Sequence, residues 1–459
     1  MTIQEYLASL KGKRVAVIGI GISNTPLIKM LLRAGIRVTA CDKNPAEEFG
    51  GLAEELTSLG ADLRLGEDYL KGLDHDVIFR TPGMRPDVPE LEEARRRGAV
   101  VTSEMEVFFQ TCPCRLMAVT GSDGKTTTTT IIARLMAAAG FNTYLGGNIG
   151  KPLLPEVCAM EQGDVAVLEL SSFQLMTMAQ SPDIAVVTNL TPNHLDVHRS
   201  MSEYISAKEN IFTHQSTQGR SIFNYDNEIT RSFGRSAPGQ VVYFSRREPL
   251  ERGVFLKEDA IWVANEVGSR QVLPLEDILL PGDHNVENYM AAIAAVDGLV
   301  PDTVIRDFAQ TFGGVEHRIE LVRRLDDVAY YNDSIASSPT RTIAGLRSFH
   351  QKVILIAGGY DKQIPFDELG EEIVKRVKIL VLTGATAAKI RAAVEAAPGY
   401  GPDTPEIVEI EDFASAVHSA SHMACPGDIV LLSPACASFD RFKNFMARGE
   451  AFKKLIYEL

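Results

Sequence analysis

Short unbroken apolar runs punctuate the chain, and most of them end in a polar or glycine-rich turn. Residues 14–18 run into Gly19-Ile20-Gly21-Ile22-Ser23-Asn24, residues 36–41 close on Asp42, and residues 76–79 lead to Arg80-Thr81-Pro82-Gly83. Residues 116–120, 165–170 and 184–189 follow, then 328–331, 353–357, 379–382 and 429–432. Runs this short, apolar at successive rather than alternate positions, mark strands buried on both faces, as in parallel sheets. Helical patterns lie between them. Thr25 is placed to cap a helix with Pro26 at its first position; Leu27, Ile28, Leu31 and Leu32 supply its apolar face, and Gly35 ends it. Residues 126–139, 204–211 and 282–296 also read as helices. From 241 to 275, short β runs alternate with polar turns, which predicts a small antiparallel addition.

Strands alternating with helices predict an α/β fold. At ~150 residues per domain, the 459 residues divide into three. These are a Rossmann-like domain over 1–110, a P-loop ATPase-like parallel sheet with the small β addition over 111–314, and a second Rossmann-like domain over 315–459. Gly313-Gly314 is the hinge before the last.

Composition narrows the function. Lys and Arg number 46 against 60 Asp and Glu, a net charge of −14, which argues against a nucleic-acid partner. Six scattered cysteines make no disulfide framework and fit a reducing cytoplasm. Cys112-Pro-Cys114 lacks the second pair a zinc site needs. The N-terminus carries no basic-then-apolar leader, and no segment approaches the ~18 apolar residues of a membrane span.

The chemistry concentrates at strand ends. Thr120-Gly121-Ser122-Asp123-Gly124-Lys125-Thr126-Thr127-Thr128 joins an apolar run to a helix and reads as a phosphate-binding loop. Backbone N–H groups face phosphate oxygens, Lys125 adds a mobile charge, and the Thr126 hydroxyl suits Mg²⁺. Val119 stands where the longer loop pattern has glycine. Glu169, alone in an apolar strand, needs a partner or a metal. His194, in Thr191-Pro192-Asn193-His194-Leu195-Asp196, is placed to be a ligand or polar contact, whereas His198 reads as surface. Lys208 by itself also reads as a surface lysine, because a cation beside Mg²⁺ is repelled unless carbamylation inverts its charge. Asn288 can offer an amide to adenine or phosphate, and Arg318, just past the hinge, can reach a γ-phosphate. In the first domain, Gly19-x-Gly21 lacks the third glycine of a dinucleotide fingerprint, since Asn24 stands there. Asp42 falls where a ribose contact would be.

Several of these motifs occur together in one order: 120–126, Gly146-Gly147-Asn148-Ile149-Gly150, Leu168-Glu169-Leu170-Ser171-Ser172-Phe173-Gln174, His194 with Asp196, Lys208, and His317-Arg318. The whole chain thereby resembles the Mur ligases, ATP-dependent amide ligases that build the peptidoglycan precursor. The run 431–445 with Arg448-Gly449 is similar to the D-glutamate-adding branch, and the Asp-Asn-Pro-Arg sequence of the diaminopimelate-adding branch is absent. The resemblance implies a cytoplasmic, monomeric enzyme joining D-glutamate to UDP-N-acetylmuramoyl-L-alanine through an acyl phosphate. It implies that Ser23, Asn24, Thr25, Asp42, Lys43, Thr81, Pro82 and Gly83 hold the UDP moiety, with Asn148, Ser171 and His194 along the muramoyl-alanine arm. Gly121 to Thr128, Asn288, Arg318 and Asp333 would contact ATP. Thr126 and Glu169 would hold one Mg²⁺, and His194 with carbamylated Lys208 a second. Lys362, Ser438 and Phe445 would hold D-glutamate. Lys125, His194 and Lys208 are the implied catalytic residues, with His194 or the Lys208 carbamate as proton acceptor. One position departs from the family: Ile335 stands where many relatives have lysine, so either Lys362 carries more of the glutamate binding or glutamate is bound more weakly.

Three other readings use part of the pattern. A folylpolyglutamate-synthetase-like ligase leaves the leading Rossmann-like half unexplained. An NAD-dependent oxidoreductase leaves the phosphate loop without purpose. A nucleotide-binding ATPase switch needs no amino acid, and only Ile335 favours it.

Overall fold

The computed structural model describes residues 1–191, 198–401 and 405–459. They form two compact units, Met1–Leu275 with Glu287–Phe308, and Glu276–Val286 with Ala309–Leu459. The architecture is mixed α/β, with three sheets that are mainly parallel.

The first unit holds two of the sheets. One has five parallel strands in the order Asp62–Leu65, Val38–Asp42, Val15–Ile18, Val77–Phe79, Val100–Thr102. Strand order reverses at Val15–Ile18, so the loop after it and the turn after Val77–Phe79 diverge there, the usual place for a ligand. The helix that follows Val15–Ile18 starts one residue before the expected cap. It spans Asn24–Arg33 with Ser23 at the N-cap and Thr25 inside it. The reason is Asn24, whose buried amide turns back to donate to the Ile18 carbonyl at 2.9 Å and draws the helix start towards the strand.

The other sheet of this unit has nine strands, with Arg115–Thr120 between Ile184–Val187 and Val165–Glu169. The β addition is antiparallel only in part. Gln240–Ser245 pairs parallel with Arg220–Asn224, and Gly253–Lys257 pairs parallel with Gln240–Ser245. Antiparallel pairing begins with Ala260–Asn265 and Gly268–Pro274. The helix Glu228–Phe233 lies between the first two of these strands, and a crossover of that kind returns the chain in the same direction. One apolar cluster runs through both sheets, from Val15, Val17 and Phe79 through Phe108 to Ala118, Leu168 and Tyr204.

Glu104 is buried in this cluster's rim and accepts a hydrogen bond from the Leu154 N–H at 3.0 Å. Burial pushes its carboxyl up to about 7, against one backbone hydrogen bond that favours the anion. A raised carboxyl contributes stability below its unfolded pKa and loses it as pH rises to the folded one. Unfolding free energy should therefore fall between about pH 4.5 and pH 7 by up to ~3 kcal/mol from this group. Glu104→Gln keeps the acceptor and removes the titration. Urea unfolding of both proteins at pH 5 and pH 8 should show the variant more stable at pH 8 only. An equal effect at both pH values would exclude Glu104 as the source.

In the second unit, the third sheet runs Glu320–Leu325, Val328–Asn332, Ile429–Leu432, Val353–Ala357, Val377–Leu382, Glu406–Glu409. Only the first pair is antiparallel. Apolar clusters cover both faces, one around Leu355, Leu369 and Leu380, the other around Ile354, Val430 and Phe452. Among the described residues, no helix is long and apolar enough to cross a membrane.

Candidate active site

The phosphate loop follows Arg115–Thr120 and opens the helix Lys125–Ala138. Gly121 has φ +151°, and a Cβ there would lie 1.9 Å from Thr188 Oγ1. Gly124 caps the helix in the left-handed region at φ +78°, with Asn288 Oδ1 2.3 Å from where its Cβ would be. Only glycine fits either position. The loop is fastened from the next strand's end. Asn189 Oδ1 accepts from the Asp123 N–H at 2.9 Å, the Asn189 carbonyl from Ser122 N–H at 2.9 Å, and the Thr188 hydroxyl donates to the Asp123 carbonyl at 2.6 Å. Lys125 Nζ lies over the loop, donating to the carbonyls of Gly121 (3.0 Å) and Ser122 (2.9 Å).

Glu169 ends the neighbouring strand and is 2% exposed. Its carboxylate accepts from the Thr126 hydroxyl at 2.6 Å and from the Asn148 amide at 2.8 Å, so the lone acid of the sequence is paired. A hydroxyl and a carboxylate oxygen side by side, at the start of the helix Lys125–Ala138, are the hard oxygen donors that suit Mg²⁺.

Lys208 is a correction. It is 2% exposed, on the helix Met201–Glu209, and donates to Thr120 Oγ1 (3.0 Å) and the Gly121 carbonyl (2.9 Å). It sits 4.9 Å from the Tyr204 ring centre. Burial, reinforced by the charge of Lys125, holds its amine well below the usual lysine range, with Glu169 and Asp123 opposing. The helix carries almost no one-sided apolar stripe of its own, so nothing in its residue pattern marked Lys208 as inward. His198 is a second correction. It is buried, with Nε2 2.8 Å from Ser172 Oγ and its ring stacked on Phe173 at 5.2 Å. His194 and Asp196 lie outside the described residues.

The remaining expected residues of this unit fall around the same sheet edges. Asn288 accepts from the Thr128 hydroxyl at 3.2 Å behind Gly124, while Thr127 is buried in the helix's first turn. Asn148 is exposed, and Ser171 caps a short helix in a reciprocal box with Gln174. Asp42 is engaged by backbone: its carboxylate accepts from the N–H groups of Ile20 (2.7 Å) and Asn44 (2.9 Å), shaping the loop after the first strand. Lys43 is exposed beside it. Thr81 packs under Gly19, whose added Cβ would lie 3.0 Å from Thr81 Cβ, so the loop and the Thr81-Pro82-Gly83 turn adjoin.

In the second unit, Asp333 follows Val328–Asn332 and accepts from Ser433 Oγ at 2.8 Å and the Ile319 N–H at 3.3 Å. Burial pushes its carboxyl up to about 7, opposed first by the Ser433 hydroxyl and then by Arg318. His317 has φ +63° and is held by Asn332, 2.9 Å from its Nδ1, over Gly449. Its carbonyl accepts from Ile335 N–H at 3.1 Å, so this buried histidine aims the exposed Arg318 and the Asp333 loop together. Ser438 is buried, Phe445 half-buried, and exposed Lys362 donates to the Ser337 carbonyl at 3.4 Å. Arg341 donates to the Ile335 carbonyl at 3.2 Å, which sets a cation beside the backbone of residue 335.

Arg448 joins these loops, a role its sequence did not announce. Its buried guanidinium contacts Ser334 Oγ (3.0 Å), the Ser334 carbonyl (2.9 Å) and the carbonyls of Cys436 (3.1 Å) and Ala437 (3.2 Å). Burial lowers it to about 10. The signal was its place beside Gly449, the glycine that makes room for His317.

A family model described as the Mur ligase middle domain matches residues 119–296, and one described as the Mur ligase glutamate ligase domain matches residues 317–436. The chain is 53% identical over 458 residues to a UDP-N-acetylmuramoylalanine–D-glutamate ligase of Acetivibrio thermocellus, spanning 99% of this chain and 98% of that one. It is 50% identical over 464 residues to the ligase of the same name in Ruminiclostridium cellulolyticum, spanning 100% and 99%. Among solved structures, it is similar to the UDP-N-acetylmuramate-alanine ligase of Thermotoga maritima. The TM-score is 0.57 at 18% identity, over 97% of this chain and 99% of that one. A UDP-N-acetylmuramoyl-L-alanyl-D-glutamate–2,6-diaminopimelate ligase gives 0.55 at 18% identity, over 96% and 92%. At that identity the structures speak for the fold, while the two family models and the near-full-length relatives speak for descent: this chain belongs to the Mur ligase family.

Proposed function

We propose that this chain adds D-glutamate to UDP-N-acetylmuramoyl-L-alanine in the cytoplasm, consuming ATP and releasing ADP and phosphate. The observation that carries the reading is the convergence of Lys125, Thr126, Glu169 and buried Lys208 on one glycine loop. The three sheets would be the cores of three domains, bounded near residues 110 and 314, for the UDP end, ATP and the amino acid, in a protein active as a monomer.

In the first step the alanine carboxylate attacks the γ-phosphorus of ATP. An acyl–phosphate bond forms, and the bond to the ADP oxygen breaks. Two anions must meet, so cations decide the rate. Thr126 and Glu169 would hold one Mg²⁺, and His194 with carbamylated Lys208 the other. When bound, these ions would supply charge screening and polarise the phosphoryl oxygens. Lys125 and the loop N–H groups orient the β- and γ-phosphates, while Asn288, Arg318 and Asp333 contact the nucleotide. Ser23, Asn24, Thr25, Asp42, Lys43 and the Thr81-Pro82-Gly83 turn hold the UDP end, with Asn148 and Ser171 along the arm. In the second step the D-glutamate amine attacks the acyl carbon, phosphate leaves, and the amine proton passes to His194 or the Lys208 carbamate. Carbamylation needs a neutral amine, and the desolvated setting of Lys208 supports it.

The test is phosphate release and product mass from Mg²⁺-ATP and UDP-N-acetylmuramoyl-L-alanine, with D-glutamate, L-glutamate or L-lysine added separately. Release with D-glutamate alone supports the reading. Release with another amino acid overturns the acceptor, and release with none overturns the ligase.

Lys362, Ser438 and Phe445 would bind D-glutamate, with Lys362 paired to a carboxylate. Lys362→Ala should raise the KM for D-glutamate about tenfold or more and leave that for ATP within about twofold, as the loss of one charged contact dictates. Equal changes in both constants would remove Lys362 from the glutamate site.

A further inference from the structure

We infer that Arg80 is a positioning residue that couples the Thr81-Pro82-Gly83 turn to the segment carrying Ser171, so that the UDP end and the muramoyl-alanine arm of one substrate are held in register. The inference rests on the UDP-binding reading above. Arg80 directly follows the strand Val77–Phe79 and is 1% exposed, among the largest fully buried side chains of the described residues. An arginine is seldom buried without a structural reason, because its charge must be paid for in lost hydration.

Its fork divides between two elements. Nη1 donates to the carbonyls of Thr81 (3.2 Å), Pro82 (3.2 Å) and Met84 (2.6 Å). Nη2 donates to the Phe173 carbonyl (3.4 Å) and the Thr177 hydroxyl (3.1 Å), on and just beyond the helix Ser172–Leu175 that Ser171 caps. One planar cation thus gathers the inner carbonyls of the turn and grips the neighbouring helix. A lysine ammonium, a point charge, cannot span both sides in the same way.

The gathering also sets which way the turn's amides face. In a trans peptide the C=O and N–H point in opposite directions. With the Pro82 carbonyl drawn in to Arg80, the Gly83 N–H of the same peptide points away from the guanidinium. That N–H makes no hydrogen bond within the protein among the described residues, and Gly83 is exposed. Arg80 therefore presents a backbone donor at the ligand edge of the sheet without touching a ligand itself. Five residues on, Arg85 reinforces the connection, pairing with Glu203 at 2.8 Å on the helix that bears Lys208.

The experiment uses the full-length protein, with UDP as the binding probe by calorimetry and steady-state kinetics on the whole substrate. Arg80→Lys should weaken UDP about tenfold, the equivalent of about one lost charged hydrogen bond, and raise the KM for UDP-N-acetylmuramoyl-L-alanine at least as much. The KM for ATP should stay within about twofold. Thr177→Val removes the far-side hydroxyl, which also serves the Glu106 carboxylate, and leaves the Arg80 contacts to the turn in place. It should leave UDP affinity within about twofold and still raise the KM of the whole substrate about threefold or more, because UDP alone does not span the two elements. Arg80→Met should exceed Arg80→Lys in both readouts; if it does not fold, the other two variants carry the test. Wild-type UDP affinity in Arg80→Lys, or no effect of Thr177→Val on the whole substrate, overturns the coupling while leaving the UDP site intact. A wild-type protein that binds no UDP overturns the site and the coupling together.

Discussion

Lys208→Met is expected to lower the rate of product formation by ~10³-fold, the scale of removing one group that stabilises charge in the transition state. Methionine matches the aliphatic length of the side chain but cannot take up carbon dioxide or hold a cation. The fold should survive. Thr120 Oγ1 keeps its bond to the Leu170 carbonyl at 2.7 Å, and the Gly121 carbonyl keeps Lys125. An apolar side chain also escapes the cost of desolvating an ammonium, so the melting temperature should be no lower than that of the wild type. A second arm separates carbamylation from simple packing. Wild-type enzyme stripped of bicarbonate should lose activity and regain it when bicarbonate returns, whereas the variant should respond to neither. The sign follows from the amine's lowered pKa: a larger neutral fraction near pH 8 favours carbamate formation, and acidification should reverse it. A variant that keeps activity within about tenfold of wild type would take Lys208 out of the chemistry.

Gly121→Ala is expected to abolish measurable ATP binding, a loss of ~100-fold or more in affinity, and to lower stability. Its φ of +151° suits glycine, and the new methyl would lie 1.9 Å from Thr188 Oγ1 and 3.2 Å from the Asn189 carbonyl. Both of those groups fasten the loop, so they cannot yield without releasing Asp123 and Ser122. Strained backbone of this kind costs ~1–3 kcal/mol and overpacking about as much again. Thermal melting and ADP calorimetry check the two effects. Gly163→Ala is the control, since its Cβ would meet nothing within 4 Å. If Gly121→Ala bound nucleotide as tightly as the control, the loop would not be held by the contacts described.

Much of the candidate site was legible because phosphate chemistry demands a local pattern. A loop whose N–H groups must converge needs glycines at fixed spacing, and Lys125 and Thr126 follow directly in the chain. Glu169 was legible as a lone acid in an apolar strand, and its two partners, Thr126 and Asn148, were both within motifs already read. Lys208 and His198 read as surface residues on their own and turned out buried. Their surroundings come from Thr120, Gly121, Ser172 and Phe173, which are distant in sequence, so no local periodicity could report them. Arg80 and Arg448 are similar cases: each is a buried guanidinium collecting carbonyls from separate loops. A carbonyl is present in every residue, so its use as an acceptor leaves no mark in the sequence.

By itself, the sequence determined the α/β class, most strands, the glycine loop between strand and helix before Lys125 and, through the order of its motifs, the kinship with the Mur ligases. These depend on apolar runs, glycine placement and short spacings, which are properties of neighbouring residues. The tertiary structure alone decided that Gln240–Ser245 joins the parallel part of its sheet, that Asn24 moves the start of the helix after Val15–Ile18, and that Lys208 is enclosed beside the loop. Strand direction follows from the connection that precedes it, and a lysine's charge is tuned by what is packed around it. Both are fixed only when distant segments meet and exclude water.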